Sequence, residues 1–490
     1  TVYSGDELLQ SKAIELRDDF DSTTVPVDVQ LPEAGSHRLR FTIDGDTEEP
    51  ERRNNRHTSI INVENKAFSI LYYEGEPRWE FKFIRRAVHD DEELDLVTLL
   101  RVSPHKFYRQ GLATAEELED GFPTTRSDLF AYDALIIGSV EAASFSEEQL
   151  DLVRAFVSER GGSLLLLAGR NGLGSGGWGQ SAVADLLPTR LPPSTDNSFV
   201  RVQALARLTP HGADTAMLRF ADGPDENRRA WDALPAVADI QSTGELKPAA
   251  ITLLEAQTQS GWQPLLVTQP FGRGHTYILA SGGTWRWQMS LPLEDQRHET
   301  FWRQFLRALV AHTPSASSLS TSGQGTNVRL RAEFRDDAYR PVGGIKVSTV
   351  MSHEDGDTTT VDLLPSATEA GVFEADVAPP ASGMWYFEAI ARRDDETLAA
   401  ARTSHYSEAE TAEHFNIRRS DTLLRRLSQA TGGSYFDANQ LDGLGDLLRF
   451  SSAGITEQIR RPLWDAPVLF LLLLLLKSGE WLLRRRWSSI

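Results

Sequence analysis

Between residues 66 and 312, short unbroken apolar runs alternate with stretches of helical period. The runs are Phe68–Tyr73, Leu96–Leu100, Ala134–Gly138 and Ser163–Ala168. A strand buried on both faces reads as a continuous apolar run, and helices between such strands are the crossovers of a parallel sheet. The interleaved helices carry their own signals. Ser146 and Gln149 form a capping box, Leu150, Val153, Phe156 and Val157 make an apolar stripe, and Gly161-Gly162 end the helix. Residues 79–88 predict another helix, with Trp79, Phe83, Ile84 and Val88 toward the sheet. Pro264–Thr268 and His275–Ser281 bracket a Phe-Gly-Arg-Gly turn and predict a hairpin, and a last helix covers about Glu299–Val310. The expectation is a flavodoxin-like parallel sheet covered on both faces.

The flanks have a different period. In residues 1–65, Leu39, Phe41 and Ile43 alternate with Arg38, Arg40 and Thr42, and Asn54-Asn55 precede a strand near Ser59–Val63. That stretch resembles the end of an immunoglobulin-like β-sandwich, truncated at its start. Residues 313–326 are rich in Ser, Thr and Gly and read as a linker. Alternation then returns at Val328, Leu330, Ala332 and Phe334, and at Phe373, Ala375 and Val377, predicting a second sandwich over 327–405. Residues 406–461 are mixed, with Ser420 capping a helix that carries Leu423, Leu424 and Leu427 and stops at Gly432-Gly433.

The C-terminus holds six leucines, Leu471–Leu476, flanked by Trp464, Trp481 and Trp487. This reads as a transmembrane helix over 462–483 with an aromatic belt, and as a basic tail over 484–490. Lys477 and Glu480 interrupt it three residues apart, where they can neutralise each other. The other reading of so short an apolar core is a buried or interfacial helix. Arg484, Arg485 and Arg486 put the tail in the cytoplasm, although Arg460 and Arg461 occupy the opposite flank. The expectation is therefore a periplasmic or extracellular body tied to a lipid bilayer. A chain starting at Thr1 would then be a fragment or a processed form.

Charge and composition exclude several classes. The formal net charge of −20 disfavours a nucleic-acid partner, which requires a basic surface. The chain has no cysteine, so disulfides, thiolate metal sites and cysteine nucleophiles are ruled out. No histidine pair has metal-ligand spacing on a regular element, and no metal or cofactor is expected.

Three stretches carry a family resemblance: LYYEGEPRWEFKFIRRAV at 71–88, GGSLLLLAGRNGLGSGGWGQSAVADLLP at 161–188, and GRGHTYILASGGTWRWQ at 272–288. They resemble the class I glutamine amidotransferase-like domain of large bacterial membrane proteins, which often carry a von Willebrand A-type domain. The resemblance implies a cysteine on a strand-to-helix elbow, activated by a histidine and an acid. Here the elbow offers Gly169, Arg170 and Asn171, and no nucleophile stands there. His298-Glu299 lies roughly where the family places its histidine and acid, but without the usual spacing. A helix-start pair is the plainer reading of it. The expectation is a pseudoenzyme acting as a binding or assembly module in a membrane-associated protein complex.

In doubly wound sheets, ligands sit beyond the carboxyl ends of the strands. The candidate cleft is therefore Tyr73, Glu74, Glu76 and Trp79 after the first strand, with Arg170, Asn171 and Trp178 after the fourth. Arg170 can clamp a carboxylate, or pair with Glu74 or Glu76 to hold two loops together. In the glycine-rich loop 172–179, Gly176 and Gly177 fit positive φ angles, with Trp178 as a packing anchor. Two alternatives use weaker candidates. One is a hydrolase or transferase employing Ser175 or Glu74 with His298. The other is a sugar or cell-wall binding platform of Trp178, Trp285 and Trp287, the last two placed on an extended segment where alternate residues share a side.

Overall fold

A computed structural model describes residues 1–14, 23–25, 27–31, 33–44, 55–63, 66–103, 106–196, 198–259, 261–324, 327–394, 396–407, 421–437 and 466–487. Asn54, Ser420 and the start of the expected span at 462–465 lie outside them. The chain forms two compact units, Thr1–Phe415 and Asn416–Ile490.

The first unit opens with a four-stranded antiparallel sheet of β1 (Val2–Ser4), β2 (Glu7–Gln10), β3 (Gly35–Thr42) and β4 (Arg56–Val63), ordered β2-β1-β3-β4. The expected sandwich is here one sheet. Its alternation buries Leu39 deeply, while Ile43 and Ile61 stay exposed.

The next strands are β5 (Phe68–Glu74), β6 (Leu94–Ser103), β7 (Lys106–Gln110), β8 (Ala134–Ile137) and β9 (Ser163–Leu167). Two-residue strands β10 (Thr189–Arg190) and β11 (Phe199–Val200) pair with β14 (Glu245–Leu246) and β13 (Ile240–Gln241), and β12 (Ala206–Leu208) lies between them in sequence. The hairpin of β16 (Gly261–Phe271) and β17 (Gly274–Leu279) follows β15 (Ile251–Thr258). Apart from the two short pairs, these strands make one nine-stranded sheet in the order β12-β15-β16-β17-β9-β8-β5-β6-β7.

That sheet corrects the expectation of a flavodoxin-like, amidotransferase-like parallel domain. It is mixed. β17, β9, β8, β5 and β6 run parallel, but β16, β15, β12 and β7 are added antiparallel. The apolar runs mark buried strands but not direction, and hairpin partners such as β16 extend a sheet antiparallel without any crossover. With the other sheets counted, the fold is predominantly β.

The helices cover both faces of the central sheet. Tyr72, Ile84, Leu165, Trp287, Phe301 and Phe305 belong to the core on one face, and Tyr73, Leu135, Val153, Phe156, Leu164 and Trp178 to the core on the other. The capping box holds: Gln149 N–H donates to Ser146 Oγ and Ser146 N–H to Gln149 Oε1. The helix Glu147–Ala155 ends through a π turn at left-handed Gly161. Helix Trp79–Ala87 turns Phe83 and Ile84 inward as expected but leaves Trp79 52% exposed.

The second β layer is β18 (Ser317–Gln324), β19 (Asn327–Phe334), β20 (Lys346–His353), β21 (Thr358–Pro365), β22 (Val372–Val377), β23 (Gly383–Arg393) and β24 (Glu396–Ser407). The sheet runs β18-β19-β22-β21-β20-β23-β24 and folds over until its two edge strands, β18 and β24, approach without pairing. The expected linker is therefore largely a strand. β18 has weak intrinsic preference but pairs with β19 along its whole length, and Leu319 enters the core.

In the second unit, helix Asp421–Ala430 leaves Leu423, Leu424 and Leu427 exposed. The last helix is Pro467–Arg486, and among the described residues no helix is long and apolar enough to cross a membrane. This overturns the membrane span, the lipid-bilayer partnership and the sided placement built on it, with periplasmic or extracellular body and cytoplasmic tail. The apolar stretch Pro467–Leu476 covers only about 15 Å at 1.5 Å per residue, against a hydrocarbon core of about 30 Å. Lys477 then pairs with Glu480 at 2.8 Å and Glu480 with Arg484 at 2.6 Å. Arg484–Arg486 continue the same helix and form no separate tail.

Candidate functional site

Glu74 ends β5 with a fully buried side chain at the carboxyl edge of the parallel strands. A buried carboxylate is costly unless donors surround it. Four do. Tyr72 O–H donates to Oε2 at 2.7 Å and Arg78 Nε to Oε2 at 2.9 Å. The backbone N–H groups of Gly75 and Ser139 donate to Oε1 at 3.1 and 2.9 Å. Arg78 also donates to Ala168 O at 2.5 Å, so it ties β5 to the end of β9. Burial opposes the charge on Arg78, but Glu74, together with Tyr72 and Glu80, outweighs it and holds the guanidinium protonated far above its ordinary range. The same burial and the neighbouring carboxylate push Tyr72 well up, keeping it a donor. Room for the carboxylate comes from Gly138, where a Cβ would lie 2.3 Å from Glu74 Oε2.

Around this pair the loops are tied to each other. Ser139 O–H donates to Glu76 Oε1 at 2.7 Å, and Asn171 N–H donates to Ser139 Oγ at 3.0 Å. Gly169 N–H donates to Gln241 Oε1 at 3.0 Å, and Gln241 Nε2 donates to Gly172 O, Ser175 Oγ and Ser198 Oγ. Asp239 accepts from Gly282 N–H at 2.8 Å and from Ser281 O–H; burial raises its pKa despite those donors.

A second buried polar group lies under helix Arg297–Val310. Glu80 accepts from Thr284 O–H at 2.6 Å and from Trp285 N–H at 3.0 Å. Thr284 Oγ1 also accepts from Trp302 Nε1 at 3.0 Å and sits 3.5 Å from His298 Nε2. Burial raises the Glu80 pKa to about 7. Burial, with a smaller push from Arg86, lowers that of His298 to about 3. His298 is therefore neutral at ordinary pH, edge-on to Phe83, and its Nδ1 has no hydrogen-bond partner among the described residues.

The expected cleft residues separate. Glu74, Glu76 and Asn171 share the network above. Tyr73 points to the opposite face of the sheet, as alternation requires, and packs on Phe107, Phe122 and Phe145. Arg170 is exposed and has no ion-pair partner among the described residues, so neither Glu74 nor Glu76 is its counterion. Trp178 is buried and donates to Val140 O at 2.8 Å. Gly177 has φ 76°, as expected, but Gly176 does not adopt positive φ; there the approach of Asn171 O excludes a side chain.

The weaker candidates do not converge. Ser175 bonds Ser198 and Gln241, whereas His298 lies at the Thr284 group; Glu299, the next residue, is half-buried. Trp285 and Trp287 sit on a helix, Trp285–Ser290, and not on a strand. Trp287 is buried against Trp231 and Phe301, and Trp285 is half-buried beside exposed Trp79 with ring centroids 6.4 Å apart, tilted 38°. Buried Trp178 and Trp287 remove the three-tryptophan platform. Among the described residues no group of three or more His, Cys, Asp or Glu side chains can hold a metal.

Arg78, Ser139, Asp239, Gln241 and Glu80 escaped the sequence reading. Only Arg78 left a signal there, four residues after Glu74 at the entrance to the next helix.

No protein-family model matches the chain, and no curated protein matches it. Among solved structures, similarity is recorded to cytoplasmic protein STM1381 from Salmonella typhimurium LT2, with 16% identity over 56% of this chain and 97% of that one, at a TM-score of 0.35. Cytoplasmic protein STM3548 from Salmonella typhimurium is similar at 16% identity over 56% and 96%, at 0.34. The β-galactosidase of Rahnella sp. R3 is similar at 10% identity over 64% and 41%, at 0.30. At these scores the likenesses carry no weight for fold or function.

Proposed function

We propose that the chain is a recognition or assembly module without catalysis, presenting the carboxyl edge of its parallel strands to a protein partner. The observation that supports this is the saturation of Glu74. The carboxylate best placed for chemistry already takes four donors, the Arg78 guanidinium among them. A general base needs a free lone pair within reach of a substrate proton. What the edge offers to solvent is exposed Arg170 and the half-covered aromatic pair Trp79 and Trp285. Arginine and tryptophan are among the side chains enriched at protein interfaces.

The test is turnover of glutamine and of chromogenic ester, amide and glycoside substrates by the full chain, beside His298→Ala and Glu74→Gln variants. Equal background rates in all three are expected. Turnover that disappears in either variant refutes the reading.

A further inference from the structure

On the sandwich side of the first unit lies a half-open groove of about 1010 Å³. Three parts of the chain wall it: Ser36 and Asn62 from β3 and β4, Ser317 and Ser318 from β18, and the outer face of β20, β23 and β24. That face is set by register. Ser352 stands opposite Tyr386, and Val350 opposite Glu388, which is itself opposite Arg402. Side chains of one face alternate with those of the core, so Tyr386 and Glu388 share the groove side while Phe387 enters the sandwich.

The groove is a built structure. Ser36 O–H and Ser404 O–H both donate to Asn62 Oδ1 at 2.7 Å, and Asn62 Nδ2 donates to Thr403 Oγ1 at 3.3 Å. These bonds fix the N-terminal sheet against β24. Arg402 donates through Nε and Nη2 to Glu388 Oε1, at 2.8 and 2.6 Å. Both bonds end on one oxygen, and no donor reaches Oε2 among the described residues. The hydroxyls of Ser317, Ser318 and Ser352 likewise have no side-chain partner there. Tyr386 is 43% exposed.

From this geometry we infer that the groove binds a neutral polyhydroxylated ligand, a short oligosaccharide. Three features select the class. The charged residues of the groove lining, Glu388 and Arg402, neutralise each other, so the lining gives no preference for a charged ligand. The hydroxyls both donate and accept and the open Glu388 oxygen accepts, matching sugar hydroxyls, which do both. The Tyr386 ring is a rigid amphipathic surface, apolar on its face and polar at its tip, suited to the C–H face of a sugar ring. The volume is at the upper end of the roughly 300–1,000 Å³ of small-ligand sites, room for more than one sugar unit. This site is separate from the strand edge of the proposed protein-binding reading and does not rest on it.

The experiment is isothermal titration calorimetry of the full chain with neutral hexasaccharides of glucose, xylose, mannose, galactose and N-acetylglucosamine, with hexagalacturonate as an anionic control. At least one neutral hexasaccharide is expected to bind with a sub-millimolar Kd. Tyr386→Ala is expected to weaken that binding at least about tenfold. Ser352→Trp, which fills the groove from a half-exposed position, should abolish it, and Trp285→Ala should leave it unchanged. Circular dichroism of each variant checks folding. Binding by none of the neutral sugars, binding only of hexagalacturonate, or binding that survives both Tyr386→Ala and Ser352→Trp would overturn the inference. So would selection of an extended peptide from a displayed library that competes for the same groove.

Discussion

Arg78 Nε and Glu74 Oε2 lie 2.9 Å apart, four residues apart in sequence, with the carboxylate fully buried at the end of β5. The pair joins β5 to the helix that follows it, and through Ala168 O to β9. Removing one partner leaves the other as an uncompensated buried charge. Arg78→Ala should therefore destabilise the first unit by about 3–5 kcal/mol in urea unfolding. The double variant Arg78→Met with Glu74→Leu should cost clearly less than the sum of the two single changes. Additive costs would show that the pair is not coupled.

Gly138 tests the same site from the other side. A Cβ there would meet the Glu74 carboxylate at 2.3 Å, well inside contact distance. Gly138→Ala must displace that carboxylate from its donors, and a loss of about 1–3 kcal/mol is expected. Thermal unfolding would read it as a lower Tm; an unchanged Tm would show that the carboxylate has room to move.

Glu80 and His298 give opposite pH slopes. Glu80 has its folded pKa raised to about 7 by burial, so its contribution is complete below its unfolded pKa and is lost as pH rises through 7. His298 has its folded pKa lowered to about 3 by burial, so the folded state loses stability as pH falls below about 6.5. Between pH 5 and 6.5 the two nearly cancel. Glu80→Gln should expose the histidine and make stability rise across that window, by up to about 2 kcal/mol. His298→Phe should expose the glutamate and make stability fall by a similar amount. Parallel pH profiles for both variants would contradict the assignment.

Trp285 and Trp287 are two residues apart and differ in burial. Trp287 is fully buried against Trp231 and Phe301, so Trp287→Ala should cost about 3–5 kcal/mol. Trp285→Ala, on the half-exposed side, should cost under about 1 kcal/mol. Denaturant midpoints compare them directly; equal losses would place both rings in the core.

The sequence by itself determined where buried strands and capped helices would form. The runs at Phe68, Ala134 and Ser163 are apolar because both faces of those strands are covered, and Ser146 with Gln149 is a local capping motif. Such signals depend on neighbours within a few residues, and they survive without knowledge of the fold. Tertiary structure alone decided the rest. It set the antiparallel additions to the central sheet, the strand made by the serine-rich segment at Ser317–Gln324, and the helix that separates Trp285 from Trp287. It also gave Glu74 to Arg78 and left Arg170 exposed, and it brought Ser36, Ser352 and Tyr386 to one groove. Pairing, direction and charge partnership are settled between residues far apart in the chain, where burial and hydrogen-bond supply depend on which surfaces meet.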